Sequence, residues 1–212
     1  MKLFYLLLSF LMFLVSTECV SAQESNSILD EGSISGDVRV KQYDRRKKII
    51  FNKAGRFIAT RTVDGTANNI AFEVQATFIG PPLTIIDEVI IMYQGETITL
   101  QRAMGLNGCL KEVQGGFDST VGVNGRITHT KNGVFKIVEV NRNVCTFISN
   151  DNKLKIIFDG RKLTVRPNRN TYGGRMEGLL GNYDGNPNND RKRRDNGQQA
   201  RNFEEFALTW KL

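Results

Sequence analysis

From Val38 to Arg166 the chain keeps one rhythm: a short run of alternating or β-branched apolar residues, then a turn. Val38-Arg39-Val40-Lys41 alternates apolar with polar. Phe72, Val74 and Ala76 alternate with Glu73, Gln75 and Thr77, and Ile98 and Leu100 with Thr97 and Thr99. Successive side chains of an extended strand point to opposite faces, so this period of two writes one apolar face and one wet face. Val89 to Tyr93 is denser and predicts a strand covered on both faces. Gln94-Gly95, Asn124-Gly125, Asn132-Gly133 and Asp159-Gly160 punctuate the runs. Pairs of this type accept the positive φ that a tight hairpin demands. Strands and hairpin turns at such short spacing point to a mainly β fold, an antiparallel sandwich or barrel.

The two ends read differently. Lys2 precedes an almost wholly apolar run, Leu3 to Val15, and Val20-Ser21-Ala22 offers small residues for cleavage. That order predicts a secretory signal peptide over 1–22, with an uncleaved anchor as the alternative. The run falls short of the roughly 20 residues a membrane helix needs, and no later segment is apolar enough, so the expectation is an exported chain with no transmembrane segment. Residues 23–35 are rich in Ser, Glu and Asn and are expected to form a flexible N-terminus, leaving 36–212 as the folded domain. Beyond Pro167 the chain turns polar and rich in Gly, Asn and Arg, yet it closes on Phe203, Phe206 and Trp210. Their spacing places them on one face of a short helix, which predicts an end docked back on the body.

Cys19 falls inside the signal segment, so Cys109 and Cys145 are left as an even pair for an oxidising compartment. A disulfide and two buried thiols both fit at this point. The net charge of +7 is compatible with an acidic glycan or an anionic lipid surface, but its residues are scattered as on a solvated face. Nowhere do basic residues interleave with aromatics as in a nucleic-acid module, so nucleic acid is not an expected partner. Two runs break the scatter, Arg45-Arg46-Lys47-Lys48 and Arg191-Lys192-Arg193-Arg194, and the second reads either as a processing-protease site or as a solvated loop.

Most of the chemistry-bearing side chains sit in Gly178-Leu179-Leu180-Gly181-Asn182-Tyr183-Asp184-Gly185-Asn186-Pro187-Asn188-Asn189-Asp190. Calcium takes six to eight oxygen ligands, and Asn and Asp supply them. Gly181 and Gly185 let such a loop bend. On composition alone an Asn/Gly turn cluster accounts for the same residues. This segment, however, resembles the Gly-Leu-Cys-Gly-Asn-aromatic-Asn/Asp-Gly signature of von Willebrand factor type D domains. Asn189-Asp190 matches that family's paired Asn/Asp-Asp, and Phe206-Ala207-Leu208-Thr209-Trp210 its closing Phe-Gly-x-Ser-Trp. Near the front, Gly36-Asp37, Tyr43-Asp44 and Gly55-Arg56-Phe57 resemble further family positions. The resemblance implies a β-sandwich-like domain with a calcium loop and a short C-terminal helix. It implies calcium ligands at Asp44, Asn182, Asp184, Asn189 and Asp190, with the carbonyl of Pro187 as a further one. The departures concern cysteine. Leu180 and Arg56 stand where the family has cysteines, and Ser33 and Ser35 occupy the neighbourhood of a third, the family partner of the one replaced by Leu180.

For catalysis the sequence offers little. The single histidine, His129, reads as an exposed strand residue, and there is no nucleophile elbow, phosphate loop or zinc spacing. The expected function is therefore a secreted, non-enzymatic, calcium-binding structural or interaction module for extracellular proteins or matrix. A lipid- or yolk-associated carrier and a secreted effector of the venom or defence type are the alternatives.

Overall fold

Two antiparallel sheets carry the chain in the computed structural model, which describes residues 31–35, 39–44, 48–51, 53–62, 72–80, 85–102, 109–114, 116–122, 126–131, 133–140 and 144–212. The expected signal peptide over 1–22, the flexible stretch over 23–30 and the Asn124-Gly125 turn lie outside these residues. In chain order the strands are β1 (Gly32–Ser35), β2 (Arg39–Lys41), β3 (Ile49–Ile50), β4 (Gly55–Thr62), β5 (Phe72–Ile79), β6 (Ile85–Tyr93), β7 (Glu96–Gln101) and β8 (Leu110–Val113). They continue as β9 (Asp118–Val121), β10 (Ile127–Lys131), β11 (Phe135–Val140), β12 (Val144–Ser149), β13 (Leu154–Phe158), β14 (Lys162–Pro167) and β15 (Met176–Glu177). One sheet runs β3-β2-β1-β14-β13-β12-β11-β10-β9, the other β15-β4-β5-β6-β7-β8.

The alternation fixes which face turns inward. Cys145, Phe147 and Ser149 of β12 are buried, as are Leu154, Ile156 and Phe158 of β13, while their neighbours are half-exposed. On the second sheet Val89, Ile91 and Tyr93 of β6 face inward beside Ile98 and Leu100 of β7. The inner faces meet, with the rings of Tyr93 and Phe147 at 5.4 Å and one continuous core between them, so the architecture is an antiparallel sandwich. The dense run at Val89 to Tyr93 is thus not covered on both faces, because Ile90 and Met92 on its outer side remain half-exposed. Turn chemistry follows the residues. Gln94 and Gly95 both take positive φ (49° and 82°) between the paired Tyr93 and Glu96. Asp159 Oδ1 accepts the N–H groups of Arg161 and Lys162 at 2.9 and 2.6 Å, with Gly160 at φ 77°.

The folded body begins earlier than expected. Residues 32–35 are not flexible: they form β1, between β2 and β14, with Ile34 fully buried opposite Leu163 and Val40. Four residues are too few to show a pattern, and the partner strand lies far along the chain. Glu31 fastens the entrance through Lys162 at 2.9 Å and Arg166 at 2.8 Å.

The polar C-terminal region is ordered by a few apolar anchors. Asn168 caps α1 (Arg169–Tyr172), its side chain accepting the Thr171 N–H. The chain then reaches β15 beside β4 and, after the Asn/Asp loop, α2 (Phe203–Leu208), capped by Asn202 through the Glu205 N–H at 2.9 Å. Phe203, Phe206 and Trp210 are buried together, and each such side chain contributes roughly 1.5–3 kcal/mol. The backbone completes the docking: Ile58 N–H donates to the Trp210 carbonyl and Leu212 N–H to that of Arg56, both at 2.9 Å. Among the described residues, no helix is long and apolar enough to cross a membrane.

Candidate metal centre

The loop from Gly178 to Asp190 is held at both ends before it offers a single ligand. Leu179 and Leu180 N–H groups donate to the carbonyls of Ile58 and Ala59 on β4, at 3.1 and 3.0 Å. Tyr43 N–H donates to the Leu180 carbonyl at 3.0 Å, and Gln42 Nε2 to the carbonyls of Leu179 and Asp190, both at 3.3 Å. Tyr183, fully buried at φ 55°, packs on Tyr43 with ring centroids at 4.9 Å, and its hydroxyl donates to the Pro167 carbonyl. Through these contacts the segment after β2 is clamped to the loop.

That clamp brings Asp44 next to the loop residues. Asp44 Oδ2 accepts the Gly185 N–H at 2.9 Å. Asn182 Nδ2 donates to Asp184 Oδ2 at 3.1 Å and to Asn189 Oδ1 at 2.9 Å, and Asn189 Nδ2 donates to the same Asp184 oxygen at 2.7 Å. Asp190, buried, accepts the Asn182 backbone N–H at 3.3 Å. Asp44, Asn182, Asp184, Asn189 and Asp190 thus share one hydrogen-bonded neighbourhood, with half-buried Pro187 in the same turn. The carboxylates of Asp44, Asp184 and Asp190 are not gathered within 4.8 Å of one another; the two amides stand among them. Burial would push the Asp184 carboxyl up, but the amide of Asn189, the N–H of Asn186 and the amide of Asn182 outweigh it and hold it below the ordinary carboxylate range.

Cys109 and Cys145 are joined by a disulfide, with Cα atoms 5.9 Å apart. With Glu139 they are the one Cys/His/acid group within 4.8 Å among the described residues, but the bonded sulfurs leave no thiolate for a metal. Glu139 Oε1 instead accepts the Leu110 N–H at 2.8 Å. Its other oxygen lies 3.6 Å from His129 Nε2, and His129 Nδ1 lies 2.8 Å from Ser119 Oγ. His129 is therefore buried, not exposed as its polar neighbours suggested, because β9 and β11 flank it and set Ser119 and Glu139 against its ring. No sequence signal links Ser119, His129 and Glu139.

The basic run folds into a small hairpin. Ala200 N–H donates to the Arg191 carbonyl and Arg193 N–H to that of Gln198, both at 2.9 Å, and Lys192 bridges Gln199. Arg193 pairs with Asp195 and Glu205, while Lys192 and Arg194 are exposed.

A comparison with curated proteins finds no match. The von Willebrand factor type D domain model matches residues 32–197, from the first residue of β1 through the loop and into the basic hairpin. The sandwich, the Asp44–loop clamp and that match agree, and the chain belongs to the von Willebrand factor type D domain family.

Proposed function

We propose that this protein is a secreted, non-catalytic interaction module whose fold is fastened by one calcium ion, and that it binds extracellular proteins or matrix. One observation carries the calcium reading. Asn182 Oδ1 is buried without a hydrogen-bond partner in a neighbourhood that also holds Asp44, Asp184, Asn189 and Asp190. A buried acceptor left unanswered costs about 1–3 kcal/mol, and a hard cation answers it. Amide oxygen and nitrogen sit on one planar group, so half a turn of Asn182 or Asn189 offers oxygen where nitrogen now stands. The residue types are those calcium takes, and the Pro187 carbonyl would add one more oxygen. Bound there, the ion supplies charge neutralisation and cross-linking of Asp44 to the loop, so it stabilises the folded state alone.

Membership in this family supports an extracellular structural or interaction role. Thermal unfolding with calcium and with EDTA tests the proposal. Calcium is expected to raise the midpoint, and Asp44→Ala and Asp184→Ala to remove that increment. Equal midpoints in both buffers would reduce the loop to an Asn/Gly turn.

A further inference from the structure

Between the Asn/Asp loop, the basic hairpin and the aromatic end lies a cavity of about 350 Å³. It is lined by the acidic Glu177 and Asp190, the basic Lys192 and Arg194, and Trp210, among others. We infer that this cavity binds an acidic sugar unit of an extracellular glycan, taking its sulfate or carboxylate at Lys192 and Arg194 and its hydroxyls at Glu177. This goes beyond the calcium reading: the cavity borders Asn182, Asn189 and Asp190 of that loop, but the inference rests on Trp210, Lys192, Arg194 and Glu177, which the calcium reading does not use.

Two cations in the lining make no ion pair among the described residues, and one buried donor beside them is unanswered. Trp210 is 2% exposed, lines the cavity, and its indole N–H is buried with no hydrogen-bond partner. Tryptophan nitrogen only donates, so the group that satisfies it must be an acceptor. The Arg194 guanidinium stands over the Trp210 ring at 6.0 Å, and among the described residues it makes no ion pair. Lys192 is exposed beside it. Arg193, between them, is taken by Asp195 and Glu205, which leaves its two neighbours to face a ligand. The Glu177 carboxylate, also in the lining and partnered by Arg61, still offers lone pairs to a hydroxyl donor.

This mixture selects the ligand. A run of peptide carboxylates would satisfy Lys192 and Arg194 but bring further negative charge against Glu177. A uronic acid or singly sulfated sugar carries one acidic substituent and several hydroxyl donors on one ring, matching both kinds of lining group. The volume falls at the small end of ligand sites, which span about 300–1,000 Å³, and suits a single substituted ring.

Trp210 is the only tryptophan of the chain, so its fluorescence reports on this cavity directly. The calcium-loaded protein is titrated at fixed ionic strength with an unsulfated, glucuronate-containing disaccharide that carries one carboxylate, with inorganic sulfate and with a triaspartate peptide. We expect a saturable change with the disaccharide, a Kd weakened about tenfold in Arg194→Ala and in Lys192→Ala, the loss of one charge-assisted hydrogen bond, and no change in the distant Lys136→Ala. Three outcomes overturn the inference: no saturable change; equal weakening in Lys136→Ala, the mark of diffuse attraction to net charge; or sulfate or triaspartate binding as tightly as the disaccharide. Melting with calcium and with EDTA scores the cation separately, so either reading falls without the other.

Discussion

Gly181 turns at φ 88°, and a Cβ placed there would stand 2.5 Å from Asp190 Oδ1. Gly197 has a comparable φ of 68° but nothing within 4 Å of its would-be Cβ. The left-handed backbone alone costs an alanine roughly 1–2 kcal/mol at either site. Gly181→Ala should therefore lose more than Gly197→Ala by about 1 kcal/mol or more, read from urea midpoints, because it also displaces a buried carboxylate. A second prediction concerns Glu31. Burial pushes its carboxyl up, but hydrogen bonds and charge from Lys162 and Arg166 prevail and hold it below its ordinary value. A depressed carboxylate stabilises the fold above its unfolded pKa and loses that contribution as pH falls through its folded pKa. Wild type should exceed Glu31→Gln by about 0.5 kcal/mol near neutrality, a surface-pair magnitude, and the gap should close in acid below about pH 4. Chemical denaturation at stepped pH checks it. Asp44 shows how far single residues could be read. Its type was visible, but its place beside Gly185 came only from family resemblance, since no local pattern joins residues 44 and 185.

At the level of strands and loops, the hairpins were written plainly in the sequence. The Asp159-Gly160 turn and the inward faces of β12 and β13 follow from turn chemistry and period two. The short strand β1 was not legible, because Gly32-Ser33-Ile34-Ser35 has one large apolar residue and borrows its order from β14. His129 misled for a related reason, its burial being set by the strands on either side. The disulfide joins the entrance of β8 to β12, and so the two sheets, across a sequence separation of 36. A loop of that length implies about 3–4 kcal/mol of stabilisation through the unfolded chain. The Cys109→Ser, Cys145→Ser double variant should lose stability of that order in guanidinium titration, with its calcium-induced shift retained, since the loop clamp lies elsewhere.

Across the whole molecule, the basic hairpin from Arg191 to Ala200 is closed by backbone hydrogen bonds and by Arg193 pairing with Asp195 and Glu205. A processing protease requires an extended segment, so the native protein should resist a dibasic-specific protease and be cut after Arg194 only once urea opens the fold. Intact mass over a time course reads this, and rapid cutting of the native form would restore the processing-site reading. Even then Phe203, Phe206 and Trp210 would keep residues 195–212 seated. The placing of β1 beside β14 carries a consequence for biosynthesis. A ribosome adds about 5–20 residues per second, so the first strand emerges on the order of ten seconds before the strand that will cover its edge exists. Throughout that interval Ile34 and an open ladder edge are on offer to any neighbouring chain. The nine-stranded sheet therefore closes only late in synthesis, and until then the strand made first is the edge most open to mispairing.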